Sequence, residues 1–337
     1  MVSRRKVPGR KIKRKIAAGP KVPAKSGSKK LQISKAANRS KKKYGAAKKP
    51  GSKKSNPKKP RSLKDALKGR LTKKEFSFLR GSFDTLGNIA ILEIPDELRH
   101  KEKIIGNALL SVNPSLETVC MKTGAHEGEF RIEPVKVIAG RRNKVATYKE
   151  HGCTFRVSLG RVFFSPRLST ERKRIAGLIK EGEVIGALFA GVGPFPIVFA
   201  KNSKMAKAYA VELNPAAYED MLENIRKNKV ESKVFPILGD VRKVVPMQIA
   251  GTCDRVVMPL PMGAATFLKE AIMCLRLQGG IVHFYDFVRK DDAPAGALDK
   301  IRPAVEAGGN SFRLLQWRKV RDYSPDTIQV VVDFLVE

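Results

Sequence analysis

The second half of the chain repeats one pattern, in which a short apolar run is followed by a turn and then by a helical segment. Continuous apolar runs are typical of strands covered on both faces, and their alternation with helices predicts an α/β, doubly wound sheet from about Arg167 onward. A helix is predicted to start at about Pro194, because proline suits the first helical turn. The first strand starts at Val184, and the later ones are Lys207–Val211, Val234–Asp240, Asp254–Pro261, Gly280–Asp286 and Thr327–Phe334.

The first half contains a smaller unit with a different pattern. Residues 62–80 are predicted to form a short helical lead-in, and Asp96–Leu110 a helix that Asp96 caps. A β-rich unit followed by an alternating βα unit indicates two domains, a small α+β domain over 62–160 and a Rossmann-like domain over 161–337. The strands predicted for the small domain are Ser82–Asn88, Ile89–Pro95, Thr118–Met121, Phe130–Ile138, Lys144–His151 and Cys153–Leu159.

Positive charge is concentrated at the amino terminus. The chain has 67 Lys and Arg against 32 Asp and Glu, a formal charge of +35, and such an excess implies a polyanionic partner. Residues 1–60 hold 23 of the basic residues and no acidic residue. They also hold few large apolar residues, so they cannot bury enough surface to offset their chain entropy. We predict a disordered basic tail over 1–61, which is either a solubilising arm or a clamp on RNA phosphate.

Cysteine spacing and hydropathy limit the class of protein. No apolar segment follows the basic amino terminus as in a signal peptide, and no stretch is long enough to span a bilayer. The four cysteines are far apart and form no C-x-x-C pair, which indicates neither a zinc site nor a disulfide framework. We expect a soluble, monomeric, cytoplasmic protein without a membrane partner or a metal. The cysteines are Cys120, Cys153, Cys253 and Cys274.

A glycine turn follows the first strand of the βα unit. Gly191 and Gly193 let a ligand approach the backbone, although such turns also serve tight packing of a strand against a helix. Pro196 stands where G-x-G-x-x-G would have its third glycine, so the pattern favours a cofactor without a diphosphate, and S-adenosylmethionine fits. Glu212 ends the second strand, where such sheets hold ribose hydroxyls, and Asp240 ends the third, on the adenine side. The predicted cofactor residues are Phe189, Ala190, Gly191, Gly193, Pro194, Glu212, Leu213, Asn214, Asp240 and Val241.

Ten segments between Gly81 and Glu337 resemble, in order, the archaeal and eukaryotic tRNA (guanine-37-N1)-methyltransferase family. They include SFDTLGNIAILEIPDEL, TVCMKTGAHEGEFRIEPVKVIAG, FFSPRLSTERKRIA, LFAGVGPFPIVFAK, VVMPLP and VRDYSP. The resemblance implies a Rossmann-like class I methyltransferase with S-adenosylmethionine as its cofactor. It also implies that the methyl group is transferred to N1 of guanine 37 in the anticodon loop of tRNA.

The resemblance assigns chemistry to two residues. Glu171, in S-P-R-L-S-T-E-R, matches the family's proposed general base, which takes the proton from N1 of guanine so that the nitrogen becomes nucleophilic. Arg131, in G-E-F-R, matches the residue that stabilises negative charge on O6. The residues expected on the tRNA side are Arg167, Arg172, Pro259 and Pro261.

Each assignment has a structural alternative. Spacing alone favours Glu171 as a helix-start acid that is paired with Arg172 or Arg174, and only the resemblance favours catalysis. Arg131 is equally an exposed strand charge, and Arg167 either orients Glu171 or binds phosphate. A separate group at the end of a predicted strand is interpreted as packing: His283, Tyr285 and Asp286.

Two positions depart from the expected patterns. Ala187 stands where the family has an acidic residue at the end of the first strand, and Pro259 replaces the asparagine that the wider methyltransferase class has in its substrate loop. Two alternatives therefore stay open. One is an aminocarboxypropyl transferase of the wybutosine pathway, whose chemistry would not need the S-P-R-L-S-T-E-R cluster. The other is a non-catalytic RNA-binding homologue.

Overall fold

Three β-sheets organise the residues that the computed structural model describes, which are 60–125, 128–260 and 262–337. The sheets have four, two and seven strands, and all three belong to one compact unit. The predicted tail, residues 1–61, lies outside the described residues except for its last two.

The first part is a four-stranded sheet covered by helices and followed by a hairpin. Its elements are α1 (Leu63–Leu67), α2 (Lys73–Phe78), β1 (Phe83–Leu86), β2 (Ile89–Leu92), α3 (Glu102–Val112), β3 (Thr118–Lys122) and β4 (Val135–Gly140), and the hairpin consists of β5 (Val145–Glu150) and β6 (Cys153–Ser158). In the order β1-β2-β3-β4 only the central pair is parallel. The helix α3 connects that parallel pair, and its Ile105 and Leu109 are buried in the core of this part.

Two expectations for this part are wrong. The α-helix that was expected to start at Asp96 starts at Glu102, because the six residues before it form a 3-10 helix that no side chain caps. The strand that was expected from Phe130 starts at Val135. Between Phe130 and Val135 the chain turns at Arg131, whose φ of 50° lies outside the range of β-strands.

The second part is a seven-stranded sheet between helices. Its elements are α4 (Ser169–Leu178), β7 (Val184–Leu188), α5 (Pro194–Asn202), β8 (Lys207–Glu212), α6 (Pro215–Asn228), β9 (Val234–Leu238), α7 (Val241–Val244), β10 (Arg255–Met258), α8 (Leu268–Cys274), β11 (Gly280–Arg289), α9 (Ala295–Glu306), β12 (Phe312–Asp322) and β13 (Thr327–Val336). The order is β12-β13-β11-β10-β7-β8-β9, and β13 alone runs in the direction opposite to the other six strands of this sheet. The chain order reverses between β7 and β10, and open α/β sheets bind ligands beyond the carboxyl ends of their strands at such a point.

The predicted α/β architecture is confirmed, with one strand that was not expected. Every apolar run that was predicted to be a strand in this part forms one, and α5 starts at Pro194 as expected. The edge strand β12 was missed, because most of its residues are exposed and they show no alternation of apolar and polar positions. In the three described ranges, no helix is long and apolar enough to cross a membrane.

The hairpin is fastened to α6 by side chains. The Asn224 amide accepts a hydrogen bond from the N–H of Arg156 (2.6 Å) and donates one to its carbonyl (3.0 Å). One helical turn later, Asn228 forms the same pair of bonds with Thr154, both at 2.8 Å. Because residues four apart share one helix face, α6 satisfies the backbone N–H and carbonyl groups on the free edge of β6 with side-chain amides.

The other side of the hairpin is held by the turn between β1 and β2. The Asn88 side chain accepts a hydrogen bond from the N–H of Thr147 at 3.2 Å. Beside it, Gly87 has a φ of 56°, and a Cβ there would lie 1.8 Å from the carbonyl oxygen of Thr147. The hairpin therefore lies in contact with the four-stranded sheet on one side and with α6 on the other.

Candidate active site

The predicted glycine turn lies directly beyond the carboxyl end of β7. Phe189, Gly191 and Gly193 have φ values of 58°, 58° and 83°, a region that only glycine adopts without cost. A Cβ at Gly193 would lie 2.9 Å from Cγ of Met221 in α6. The two glycines thus allow the turn to pack closely on α6 and to lead into α5 at Pro194.

Glu212 fastens this turn to the end of β8. Its Oε2 accepts a hydrogen bond from the N–H of Gly191 (2.7 Å), and its Oε1 accepts one from the N–H of Asn214 (2.8 Å). Burial raises the pKa of the Glu212 carboxyl, and the backbone N–H groups of Asn214, Gly191 and Leu213 oppose that shift. Each carboxylate oxygen can accept a second hydrogen bond, so the group can still bind the hydroxyls of a ligand.

Asp240 follows β9 and caps the short helix α7. Its Oδ1 accepts from the N–H of Arg242 at 2.9 Å, and its Oδ2 accepts from the Arg242 guanidinium at 2.7 Å. The hydrogen bond from Arg242 is the main reason that the pKa of Asp240 is lowered. The Arg242 guanidinium also lies over the ring of Phe267, which packs edge-on against Phe189 of the glycine turn.

The sheet brings the predicted cofactor residues together. They lie in three segments, 189–194, 212–214 and 240–241, at the carboxyl ends of the adjacent strands β7, β8 and β9. Within them Leu213 is exposed and Val241 is buried. Ala187 lies inside β7, paired with β8 and β10 and buried among apolar residues.

Glu171 lies in the first turn of α4 and is 5% exposed. Its Oε2 accepts hydrogen bonds from the guanidinium of Arg174 (2.9 Å) and from the hydroxyl of Tyr285 (3.2 Å). On the other oxygen, the guanidinium of Arg318 lies 3.9 Å from Oε1. The Tyr285 ring packs against Phe195, with 6.1 Å between the centroids, and Phe195 lies in the first turn of α5. Glu171 is thereby connected to the end of the glycine turn.

A buried chain of titratable groups extends from Glu171 across the sheet. Arg174 also donates to Asp333 of β13 (2.6 Å), which accepts from Nδ1 of His283 (2.6 Å). The other ring nitrogen of His283 faces Arg255 at 2.9 Å, and Arg255 pairs with Glu183 at 2.8 Å. Burial lowers the pKa of His283. Although burial opposes it, the contacts with His283 and Arg174 hold the pKa of Asp333 well below its usual range.

Arg172, which was expected on the tRNA side, is buried and paired within the protein. Its side chain is 1% exposed and forms a bidentate ion pair with Glu150 of the hairpin, with 2.7 Å between Nη2 and Oε2. Its guanidinium also lies 5.6 Å from the ring centroids of both Phe164 and Phe195. Successive residues of a helix point about 100° apart, so Arg172 faces the hairpin while Glu171 faces the sheet.

Arg131 reaches the loop that follows β10. Its guanidinium donates to the carbonyl of Met262 at 2.7 Å, and this loop begins at Pro259, directly after the strand. Burial lowers the pKa of Arg131, and Tyr323 opposes that shift. Arginine stays charged in proteins, so the site has a fixed cation at the loop predicted to hold the substrate. Pro261 lies outside the described residues.

Arg167 precedes α4 and is exposed. Its guanidinium lies 3.5 Å from the carboxylate of Asp84 in β1, and both side chains are more than half exposed. A surface pair of this kind contributes little to stability. Arg167 is therefore available to a ligand, whereas Arg172 is not.

Sequence reasoning missed most of the partners of Glu171. Tyr285 and His283 were interpreted as strand packing, yet both lie on the face of β11 that faces α4, two residues apart as alternation requires. Asp333 occupies the same face of the neighbouring β13, opposite His283. A histidine and a tyrosine at alternate positions of a mostly apolar strand were the signal that could have found them.

Two family models match the chain in succession. Residues 63–143 match the TYW2 N-terminal domain, and residues 146–310 match the TRM5/TYW2 methyltransferase domain. The chain is 40% identical over 259 residues to the tRNA (guanine(37)-N(1))-methyltransferase Trm5b of Pyrococcus abyssi, over 77% of this chain and 76% of that protein. It is 33% identical over 217 residues to the tRNA(Phe) (4-demethylwyosine(37)-C(7)) aminocarboxypropyltransferase of Methanocaldococcus jannaschii, over 64% of this chain and 85% of that protein.

Solved structures show the same similarity. The crystal structure of Trm5b from Pyrococcus abyssi superimposes with a TM-score of 0.70 and 38% identity, over 79% of this chain and 78% of that one. The complex of aTrm5 with tRNALeu superimposes with a TM-score of 0.72 and 31% identity, over 86% of this chain and 82% of that one. The chain belongs to the TRM5/TYW2 family, that of the archaeal and eukaryotic tRNA (guanine-37-N1)-methyltransferases.

Proposed function

We propose that this protein transfers a methyl group from S-adenosylmethionine to N1 of guanine 37 in tRNA. The observation that carries the proposal is the position of Glu171, a buried carboxylate connected through Tyr285 and Phe195 to the glycine turn. A proton acceptor is therefore linked, through two packed aromatic side chains, to the segment that would hold the methyl donor. One copy of the chain contains every residue invoked, so the proposal includes a monomeric enzyme, with tRNA as its partner and the cytoplasm as its location.

The residues at the carboxyl ends of β7, β8 and β9 fit this cofactor. The turn at Gly191 and Gly193 accommodates a ligand close to the backbone, and Glu212 has acceptor capacity left for ribose hydroxyls. Asp240, beyond the next strand, would face the adenine. When bound, the cofactor supplies an electrophilic methyl group on a positively charged sulfur.

Glu171 would take the proton from N1 of the guanine. In neutral guanine that nitrogen carries a proton and is not nucleophilic, so removal of the proton by a carboxylate in hydrogen-bond range raises its reactivity. Tyr285 and Arg174 hold the carboxylate in place from one side. The remainder of the catalysis is positioning of the nitrogen in line with the methyl group.

Arg131 would stabilise the negative charge that builds on O6 as the proton leaves. Its guanidinium already contacts the carbonyl of Met262 in the loop after β10, so a base held by this loop would lie within its reach. A fixed cation in a partly buried site stabilises such charge better than solvent does.

A second candidate is transfer of an aminocarboxypropyl group from the same cofactor at the same tRNA position. It is favoured by the match to the TYW2 N-terminal domain and by the 33% identity to an aminocarboxypropyltransferase. The intact S-P-R-L-S-T-E-R segment and the buried contacts of Glu171 support methylation instead, because the alternative chemistry does not need a base for N1.

The two candidates differ in their product. Purified protein is incubated with S-adenosylmethionine and with a tRNA transcript that carries G37, and the nucleosides are analysed by mass spectrometry. We expect 1-methylguanosine. Binding of the cofactor without this product, together with formation of an aminocarboxypropylated nucleoside on tRNA that carries 4-demethylwyosine, would identify the aminocarboxypropyl transferase. Absence of cofactor binding would identify a non-catalytic RNA-binding homologue.

A further inference from the structure

Arg242 occupies the whole acceptor capacity of Asp240. Oδ1 of Asp240 accepts hydrogen bonds from the backbone N–H of Arg242 at 2.9 Å and from its Nε at 3.1 Å. Oδ2 accepts from the same Nε at 3.1 Å and from Nη2 at 2.7 Å. A carboxylate offers about four sites for hydrogen bonds, and these four contacts fill them.

The carboxylate at the end of the neighbouring strand differs in this respect. Glu212, which is proposed to bind the ribose, accepts hydrogen bonds from Gly191 and Asn214, one on each oxygen, and keeps acceptor capacity for a ligand. Asp240 is proposed to face the adenine, whose 6-amino group is a hydrogen-bond donor. For that group to donate to Asp240, the guanidinium of Arg242 must first release an oxygen.

The Arg242 side chain lies at the surface and reaches the segment that leads into α8. It is 58% exposed, and an ion pair with this exposure contributes little to stability. The guanidinium lies over the ring of Phe267, 5.4 Å from the centroid, and Phe267 is the residue before α8. Arg242 can therefore leave Asp240 at little cost while it keeps its contact with Phe267.

The helix α8 offers Arg242 a second carboxylate. Glu270 lies three residues after Phe267, and residues three apart share one helix face. In the three described ranges, Oε2 of Glu270 is a buried side-chain oxygen without a hydrogen-bond partner, and a buried carboxylate oxygen without a donor costs free energy. The hydrogen bond and the charge of Asp240 raise the pKa of Arg242 most, and the charges of Glu129 and Glu270 raise it further. The charge of Glu270 thus already attracts Arg242.

We propose that Arg242 competes with adenine for Asp240 and transfers to Glu270 when adenine binds. The 6-amino group of the adenine then donates to Asp240, and the guanidinium donates to Oε2 of Glu270 while it stays over the Phe267 ring. Both carboxylates then have donors, whereas in the free protein Oε2 of Glu270 lacks one. This inference rests on the proposed function, since it takes Asp240 as the acceptor for the adenine.

Arg242→Met tests the competition through ligand binding. Methionine removes the guanidinium and keeps an apolar side chain on Phe267. Adenosine then has no arginine to displace, so calorimetry should show an affinity about twofold to fivefold higher than that of the wild type. Purine riboside lacks the 6-amino group and does not displace Arg242, so its affinity should be the same in both proteins. A gain in affinity is also a result that a folding defect cannot produce.

Glu270→Leu tests the second position of the guanidinium. It should weaken adenosine binding about twofold to fivefold, because the displaced Arg242 loses its new partner. In the Arg242→Met background the same substitution should have no effect, since no guanidinium needs an acceptor there. A matched control is Arg141→Met, which removes another exposed ion pair, with Glu117 at 2.9 Å, and should leave adenosine affinity unchanged.

Three results would each overturn the exchange: equal adenosine affinity in the wild type and Arg242→Met, a parallel gain for purine riboside, or an effect of Glu270→Leu that persists without Arg242. Neither adenosine nor purine riboside carries a methyl group, so these measurements are independent of methyl transfer. If the wild type binds neither adenosine nor S-adenosylhomocysteine, the proposed cofactor site fails together with the exchange. If it binds both and the variants do not differ from it, the exchange alone fails.

Discussion

Replacement of Glu171 by glutamine removes the proposed proton acceptor and keeps its size. Arg174 would lose one charged partner but keep Asp333, whose Oδ2 it contacts at 2.6 Å. The Tyr285 hydroxyl, which donates to Glu171 at 3.2 Å, can donate equally to the glutamine carbonyl. The buried cluster therefore remains paired, and we expect the variant to fold and to bind both tRNA and S-adenosylmethionine.

The expected loss is in the chemical step. A positioned general base contributes about 10²–10⁴-fold in rate, which corresponds to about 2.7–5.4 kcal/mol of the barrier at 1.36 kcal/mol per tenfold. An acid that only favours the start of a helix would contribute about 0.3–1 kcal/mol to stability and nothing to the rate. These two roles are thus separated by at least a factor of about 100 in rate.

Single-turnover methylation at saturating tRNA and cofactor measures this rate directly. A matched control is Glu183→Gln at the other end of the same buried chain, where Glu183 pairs with Arg255 at 2.8 Å. The control should lower the unfolding temperature and leave the rate per folded molecule unchanged. If Glu171→Gln stays within about threefold of the wild-type rate, the general-base assignment is refuted.

Three further predictions concern the cofactor, stability and the tail. Glu212→Ala should weaken binding of S-adenosylmethionine in calorimetry, and wild-type affinity should fall as the pH drops toward the raised pKa of Glu212; equal affinity in a folded variant would contradict the ribose contact. Asp333→Asn should cost about 3 kcal/mol at neutral pH. Because the folded-state pKa of Asp333 is lowered, the difference in free energy of urea unfolding between wild type and variant should shrink below about pH 4. A difference that does not change with pH would argue against the ionised pairing of Asp333. Deletion of residues 1–60, with their 23 basic residues, should reduce the salt dependence of tRNA binding and preserve the preference for guanine 37, whereas equal slopes would show that the tail does not bind RNA.

Local patterns predicted the elements at the carboxyl ends of β7, β8 and β9. The turn at Gly191 and Gly193, the helix from Pro194 and the acidic ends of β8 and β9 are properties of short segments, so apolar runs and turn residues were sufficient to locate them. The edge strand β12 was not accessible in this way, since its exposed residues show no alternation of apolar and polar positions.

The substrate side depends on contacts between distant segments. Arg174 and Asp333 are separated by 159 residues in the chain, and no local pattern places them together. Arg172 was expected on the tRNA side, but a single step along the helix from Glu171 turns it toward Glu150 of the hairpin. For the same reason the contact of Arg131 with the loop after β10 could be inferred only from the family resemblance.

The hairpin of β5 and β6 has a mechanical consequence for the enzyme. Asn88 and Gly87 hold it to the four-stranded sheet, and Asn224 and Asn228 hold it to α6, whose first turn follows Glu212. Because the hairpin is hydrogen-bonded on both sides, a displacement of the four-stranded sheet would also displace α6. We expect the four-stranded sheet, which would contact the RNA, and α6, which begins beside Glu212, to move together. Binding of tRNA would then displace the cofactor site as well, because no hinge separates the sheet from α6.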